Sequence, residues 1–465
     1  MDSCPDPALW STTRQAAAIV AGELGSVELL DAYAARIDRL NPTINAVCTL
    51  DLDRARSRAG EADRATAAGQ SWGPLHGIPI TIKDAIETEG IRSTGGATAL
   101  RDHVPARDAT VVESLKNAGA IVMGKTNLPE WSSDYQSFNE MFGTTNNPWD
   151  LTRVPGGSSG GAAAAVAAGL TSFEIGTDIG GSIRLPSAFC GVFGHKPSHG
   201  VVPTLGYLDA VGGGLTESDV NVFGPIARTA DDLRLVLDVI AGPAPDRAQA
   251  WRLQLPPCGF NDLRGVRIAA WLDDPALAVD ASVVDVLQRA AGLLDNVGAH
   301  VDHDRRPALD LDATWRAGAR LIGDAVSVHD DGTGPIRSHP EWLRADRERA
   351  RVRLVWAEFF RDVDVLLCPV TLVPAFAHLQ KGDWRDRTVE VNGVDRPYVE
   401  LEGWPALIGA AYLPSTVAPV GFTESGLPVG MQVVSPYLHD LTSITVAGWL
   451  TDLTAGYRPP PMSAL

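Results

Sequence analysis

The chain is short of cysteine, of basic runs and of long apolar stretches, and each shortage removes a class of protein. Five cysteines (Cys4, Cys48, Cys190, Cys258 and Cys368) are scattered through 465 residues, odd in number and without CxxC spacing. That pattern argues against a disulfide framework and fits reduced, mostly packed thiols in a cytosolic protein. Asp and Glu total 57 against 39 Lys and Arg, a net charge of −18 with no basic cluster. Nucleic acid and anionic membranes are poor partners for such a surface. No run of about 18 apolar residues exists, so no transmembrane helix is expected. Residues 1–15 lack a basic start followed by an apolar stretch, so no signal peptide is expected and the location reads as cytoplasmic. Internal repeats and long low-complexity linkers are also missing.

What the chain has instead is glycine beside serine. Residues 156–191 carry two glycine-flanked serines, Ser158 and Ser182, 24 positions apart. A helix-like run (162–168) and a strand-like run (172–175) lie between them. Bare glycine backbone lets a substrate approach closely. Successive N–H groups of Ile179, Gly180, Gly181 and Ser182 are candidates to hold a developing oxyanion. Either loop alone reads equally well as a glycine-rich turn. About 75 residues upstream, Lys83 ends the apolar, β-branched run GIPITIK. A strand there carries the lysine to the core, where lost hydration lowers its pKa and frees a neutral amine as base. The alternative is a strand-end lysine whose stem covers apolar surface and whose head reaches water.

Three other motifs point elsewhere. Residues 119–126 match GxxxxGK[ST], but the middle positions are Ala-Ile-Val-Met, which favour the strand itself over a phosphate loop. Ser158 and Ser159 each sit in a GxSxG, the elbow of α/β-hydrolase esterases. Pro155 breaks the strand that an elbow needs, and a later base such as His439 would have to join it. His300 and His303 form an HxxH that on a strand projects to opposite faces, a poor metal site. Cys190 reads as a packed small residue, and His76 and His195, the histidines nearest these loops, are alternative bases to Lys83; neither a metal nor a cofactor is expected.

Helical spacing covers residues 8–40, with Asn41-Pro42 as the expected stop. Residues 46–50 read as a strand, 51–69 as a helix closed by Gly69, 108–118 as a helix with Asp108 near its cap, and 120–123 as a strand. Further on, 266–271 is strand-like, 279–294 helical, and a strand starts at Val301. Residues 244–257 are the loosest connection, and 303–360 suggest helices over the core. The alternation implies an α/β layered core.

Six segments together resemble the amidase signature family: GIPITIKDAIETEG (77–90), GKTNLPEW (124–131), FGTTNNPWD (142–150), PGGSSGG (155–161), GTDIGGSIRLPSAFCGVFGHKP (176–197) and GLPVGMQVVSP (426–436). The resemblance implies one α/β/α domain over 1–465 around a large mixed sheet. Its signature core spans about 70–240, and a variable substrate region about 300–415. It implies a catalytic triad of Lys83, Ser158 and Ser182, with Ser182 as nucleophile and Ser158, usually on a cis peptide bond, relaying the proton. Asp178 and Arg184 are expected to support the nucleophile loop. Trp131, Ser132 and Tyr135 are expected in the substrate pocket, with aromatics Trp315, Trp342, Trp384 and Trp404 suggesting a roomy apolar site. The expected activity is hydrolysis of neutral apolar or aryl amides, with carbamates as the alternative, by a monomer or homodimer. The family also holds the A-type chain of the glutamine-dependent tRNA amidotransferase, which usually reads GSDTGGSIRQPA. Thr177, Ile179, Leu185 and Ser187 depart from that text and favour a stand-alone hydrolase.

Overall fold

The computed structural model describes residues 6–326, 337–454 and 456–464; Cys4 and part of the 300–415 segment lie outside them. Eight strands form one mixed sheet. Its order is His300–Asp302, Arg267–Ala270, Val365–Pro369, Pro428–Val434, Ser415–Phe422, Phe193–Lys196, Val222–Ala227, Glu174–Asp178. The first three pair parallel and every later neighbour antiparallel. Strands such as Val365–Pro369 and Pro428–Val434 are buried at every position, which is why they read as nearly unbroken apolar runs. One helical layer holds Gly160–Ala168 and Arg184–Cys190, packed on each other. A second holds Ala230–Ile240, Ala281–Asp295 and Asp440–Leu453. This is the α/β/α architecture.

Every residue of Gly160–Ala168 is buried. A helix apolar on all sides has no solvent face to keep, so the alanine run sits in the middle of the molecule. A second, three-stranded sheet runs Val47–Leu50, Ile121–Thr126, Pro79–Lys83. Its last two strands are parallel and place Lys83 opposite Thr126. Both are buried throughout, so the lysine at the end of Pro79–Lys83 has no route to water.

Several boundaries differ from the sequence reading. Helix covers Thr12–Val20 and then Ser26–Ile44, running past Pro42. The stop comes at Asn45, in the left-handed region at φ 54°, where the Asn41 side chain accepts the N–H groups of Ala46 and Val47. Thr110–Asn117 starts at Ala109, while Asp108 instead takes Lys116 and the Glu89 N–H. The phosphate-loop lookalike is strand, as its middle residues favour, and Lys125 turns inward to the Ile86 carbonyl and Thr88. Cys48, Cys190, Cys258 and Cys368 are free thiols. No helix among the described residues is long and apolar enough to cross a membrane.

Candidate active site

Lys83 arrives on the small sheet, Ser158 on the loop before the buried alanine helix, and Ser182 on the loop after the edge strand Glu174–Asp178. Lys83 Nζ donates to Ser158 Oγ at 2.6 Å and to Thr177 Oγ1 at 2.7 Å, and all three side chains are buried. Burial lowers the Lys83 pKa to about 7, against the pull of Asp178 and Glu174 toward the charged form. The Gly157–Ser158 peptide bond is cis. The two serine loops are tied by Ser159 N–H donating to the Ser182 carbonyl at 3.1 Å. Ser158 and Ser182 line one cavity of about 840 Å³, and Ser182 is only half-buried there.

Asp178 organises the loop that carries Ser182. Its carboxylate accepts the N–H groups of Gly181 (2.9 Å) and Ile183 (3.1 Å) and pairs with the Arg184 guanidinium at 2.8 Å, both side chains fully buried. Burial pushes the Asp178 carboxyl up, but Arg184, Lys196 and the Ile183 N–H together hold its pKa below the ordinary carboxylate range. Arg184 also donates to the Pro405 carbonyl and to Gln432. The pair therefore holds the loop and is closed off from substrate. This geometry corrects the expected set of four oxyanion donors. The Gly181 N–H is committed to Asp178, so it is not a free donor; Ile179, Gly180 and Ser182 remain, and all three line the cavity.

Trp131, Ser132 and Tyr135 line the same cavity. Trp131 and Ser132 both take positive φ, 50° and 58°, with the Trp131 N–H held by the Gly95 carbonyl at 2.8 Å. Two successive non-glycine residues in that region carry backbone strain of the kind concentrated at binding sites. The aromatic expectation for 310–415 is only partly met. Trp384 lines the cavity and meets Tyr135 edge-on at 6.3 Å. Trp315 and Trp404 are buried in the core, Trp404 against Trp271, and Trp342 stacks on His339. A large indole satisfies a core position as readily as a pocket, and the sequence does not separate the two.

The other candidates fall away from the site. His439 lines a different cavity. His195 is enclosed between Thr416 and Asp440, and His76 between Thr66 and the Trp72 N–H. Burial raises the Cys190 thiol far above its ordinary range, and Sγ rests on the Pro155 carbonyl. His300 and His303 are exposed.

Sequence reasoning missed three groups around the site. Thr177, noted only as a departure from the amidotransferase text, is the second acceptor of Lys83. Glu402 lines the cavity, accepts from Tyr135 Oη at 2.7 Å, and is raised to about 7 by burial. A side-chain carbon on Gly180 would stand 2.8 Å from Glu402 Oε2, so the acid borders the Ser182 loop. Nothing in LEGWPAL marks it. Glu174, buried at the start of its strand, accepts from Thr126 Oγ1 at 2.9 Å; a lone acid in an apolar run was the available signal.

A family model described as Amidase matches residues 28–317 and 316–443. The chain belongs to the amidase signature family. The A-type chain of glutamyl-tRNA(Gln) amidotransferase from Chloroflexus aurantiacus is 34% identical over 97% of this chain and 98% of its own length. The protein of the same name from Picosynechococcus sp. is 32% identical over 95% and 98%. The crystal structure of a bacterial aryl acylamidase of the same family matches with a TM-score of 0.81 and 25% identity, over 96% of each chain.

Proposed function

We propose that this amidase signature enzyme hydrolyses the C–N bond of neutral amides through an acyl-enzyme on Ser182, with Ser158 and Lys83 as its proton relay. The observation that carries the reading is the 2.6 Å contact between a fully buried lysine and a serine that opens on the cavity holding Ser182. A lysine at its ordinary pKa is protonated at neutral pH and cannot act as a base; one near 7 is half available. As Ser182 Oγ attacks the carbonyl carbon, its proton passes to Ser158 Oγ and the Ser158 proton to Lys83 Nζ. The hydroxyl suits this because it donates and accepts at once. The carbonyl oxygen becomes an oxyanion, stabilised by the N–H groups of Ile179, Gly180 and Ser182. The relay then runs backward to protonate the leaving amine as the C–N bond breaks. Water repeats the cycle and releases the acid.

The pocket supports an apolar or aryl portion through Trp131, Tyr135, Ile179 and Trp384, and a carbamate presents a similar carbonyl to the same serine. Labelling with a fluorophosphonate and mapping the adduct tests the nucleophile: Ser182 is expected to be modified, and an adduct on Ser158 or Ser159 with Ser182 free sinks the assignment. A panel of nitroanilides, alkyl amides, aryl carbamates and esters, compared by kcat/KM, then ranks the pocket.

The full-length similarity to A-type amidotransferase chains supports a second reading, a component that works on glutamine beside other chains. Of the four departures from that text, Leu185 and Ser187 are buried and serve packing, Thr177 serves Lys83, and Ile179 reaches the cavity. Thr177 and Ile179 both line the cavity, so these two still speak against the second reading. Turnover of a simple aryl amide by the purified chain favours the hydrolase. Activity on glutamine alone, or only with partner chains added, favours the second reading.

A further inference from the structure

Three of the chain's lysines, Lys83, Lys125 and Lys196, are buried, and so are the acids Asp84, Glu174, Asp178 and Asp440. Most of these charges have a closer commitment than the base and the edge-strand acid have. Asp178 is ion-paired with Arg184. Asp84 faces Lys125, whose pKa burial lowers to about 8 against the opposing pull of Asp84. Lys125 also acts on Glu174, but Asp84 is its larger neighbour. Asp440 is engaged by His195 and Ser198. Lys196 lies between Arg184, which disfavours its charge, and Asp178 and Asp440, which favour it. Among the described residues Lys83 and Glu174, like Glu402 and Asp232, form no ion pair; Asp178 and then Glu174 favour the charge on Lys83, and Lys125 favours the charge on Glu174.

The geometry brings Lys83 and Glu174 into one compartment. Thr126, which donates to Glu174 Oε1, is the strand partner of Lys83 in the small sheet, and the strand Pro79–Lys83 packs against Glu174–Asp178. The other elements packed on Glu174–Asp178 are Val222–Ala227 and Gly160–Ala168, and neither contains an ionisable side chain. Beyond the strand end, Arg228 is committed to the carbonyls of Trp10, Val166 and Thr171. On the helix behind the small sheet, Arg36 serves the carbonyls of Ala168 and Gly169, and the Tyr33 hydroxyl accepts from Gln15. On the edge strand Val47–Leu50, burial holds the Cys48 thiol in its neutral form.

We propose that Glu174 is a positioning residue for the hydrolysis, the internal counter-charge that stabilises Lys83 when the lysine takes up the proton of the relay. This rests on the reading of Lys83 as base. Acylation puts a positive charge on a side chain without water. A Glu174 that is already ionised, in the same dry compartment, offsets that charge, so the pair goes from amine and carboxylate to ammonium and carboxylate as the relay delivers its proton. Burial brings both groups to about 7, so the Glu174 carboxylate is present from neutral pH upward, where Lys83 is also available as the amine.

Glu174→Gln keeps an acceptor for the Thr126 hydroxyl and removes only the charge. The acid limb of kcat/KM for a nitroanilide, and of Ser182 labelling by a fluorophosphonate, is expected to move to lower pH by about one unit, because Lys83 has lost the anion that favoured its cation. The plateau above that limb is expected to fall. A limb that stays put, or moves up, in a variant that melts like the parent overturns the proposal and leaves Glu174 a structural hydrogen-bond partner. Should Glu174→Gln not fold, Thr126→Val weakens the carboxylate by removing its donor, and the same downward shift, smaller, is expected. The underlying reading fails separately: Lys83→Met that retains labelling and turnover removes the base itself, whatever Glu174 does.

Discussion

The floor of the cavity and its roof are built differently. The floor, formed by Ser158 and Thr177 with Lys83, Asp178 and Arg184 beneath them, is buried; Lys83 is held by short contacts to distant parts of the chain, and Asp178 and Arg184 pair across six positions. The roof comes from Leu311–Ala325, Trp384 and the segment around Glu402. Apart from the buried Glu402, which takes the distant Tyr135 hydroxyl, its charges pair at short range or at the surface, as in Arg316 with Asp312 and Arg385 with Asp383. Exposed pairs of that kind contribute little and tolerate exchange. Chemistry is fixed where every group depends on every other; specificity lies where neighbours can change one at a time.

The largest expected effect breaks the floor at its reacting atoms. Ser182→Ala and Lys83→Ala are each expected to lower kcat by about 10⁴-fold or more on every substrate, since triad members act as a unit and single losses approach the loss of all. Turnover that survives Lys83→Ala but disappears in His439→Ala would reverse the assignment.

Next comes the frame beneath them. Arg184→Met leaves the Asp178 carboxylate buried without its cation and is expected to cost about 3–5 kcal/mol of stability. Denaturant unfolding measures it. An equal loss of labelling is expected in the protein that still folds, because the Gly181 N–H and the whole loop turn on Asp178. Unchanged stability would mean that the floor is less interlocked than its contacts imply.

These two regions also explain what the sequence made legible. Glycine and serine spacing, the apolar run into Lys83 and the alanine helix each follow from a local physical demand: close backbone approach, an all-buried strand, an all-buried helix. They could be read residue by residue. The donor taken from Gly181 could not, because it depends on where the Asp178 carboxylate points three residues earlier. Trp315 and Trp404 misled for a similar reason: an indole declares that it will be covered, but not by what. Glu402 was invisible because its role comes from Gly180 and Tyr135, more than 200 positions away in the chain.

A roof variant sharpens the contrast. Trp384→Ala opens the aromatic wall against Tyr135. It is expected to reduce kcat/KM for aryl amides by about 10–100-fold relative to small alkyl amides, the range a single pocket contact usually commands. Fluorophosphonate labelling of Ser182 should be nearly unchanged. A uniform fall across the panel, labelling included, would place Trp384 in the frame.

A further expected effect, on stability and its pH dependence, concerns the buried acid of the roof, Glu402. Burial raises the Glu402 pKa from 4.5 to about 7, with the Tyr135 hydroxyl opposing. Between these values the folded chain keeps a proton that the unfolded chain has released. The native state then binds more protons, and stability falls as pH rises through this window, by at most about 3 kcal/mol for this group. Glu402→Gln removes that share of the slope while preserving an acceptor for Tyr135. Melting curves taken at intervals from about pH 4.5 to 8 are expected to be flatter for the variant, which should be the more stable protein at the alkaline end. Parallel curves would show that Glu402 titrates like an ordinary carboxylate. The cavity would then be wetter at its roof than the enclosure of Glu402 between Gly180 and Tyr135 implies, and an apolar substrate would have less to gain by entering it.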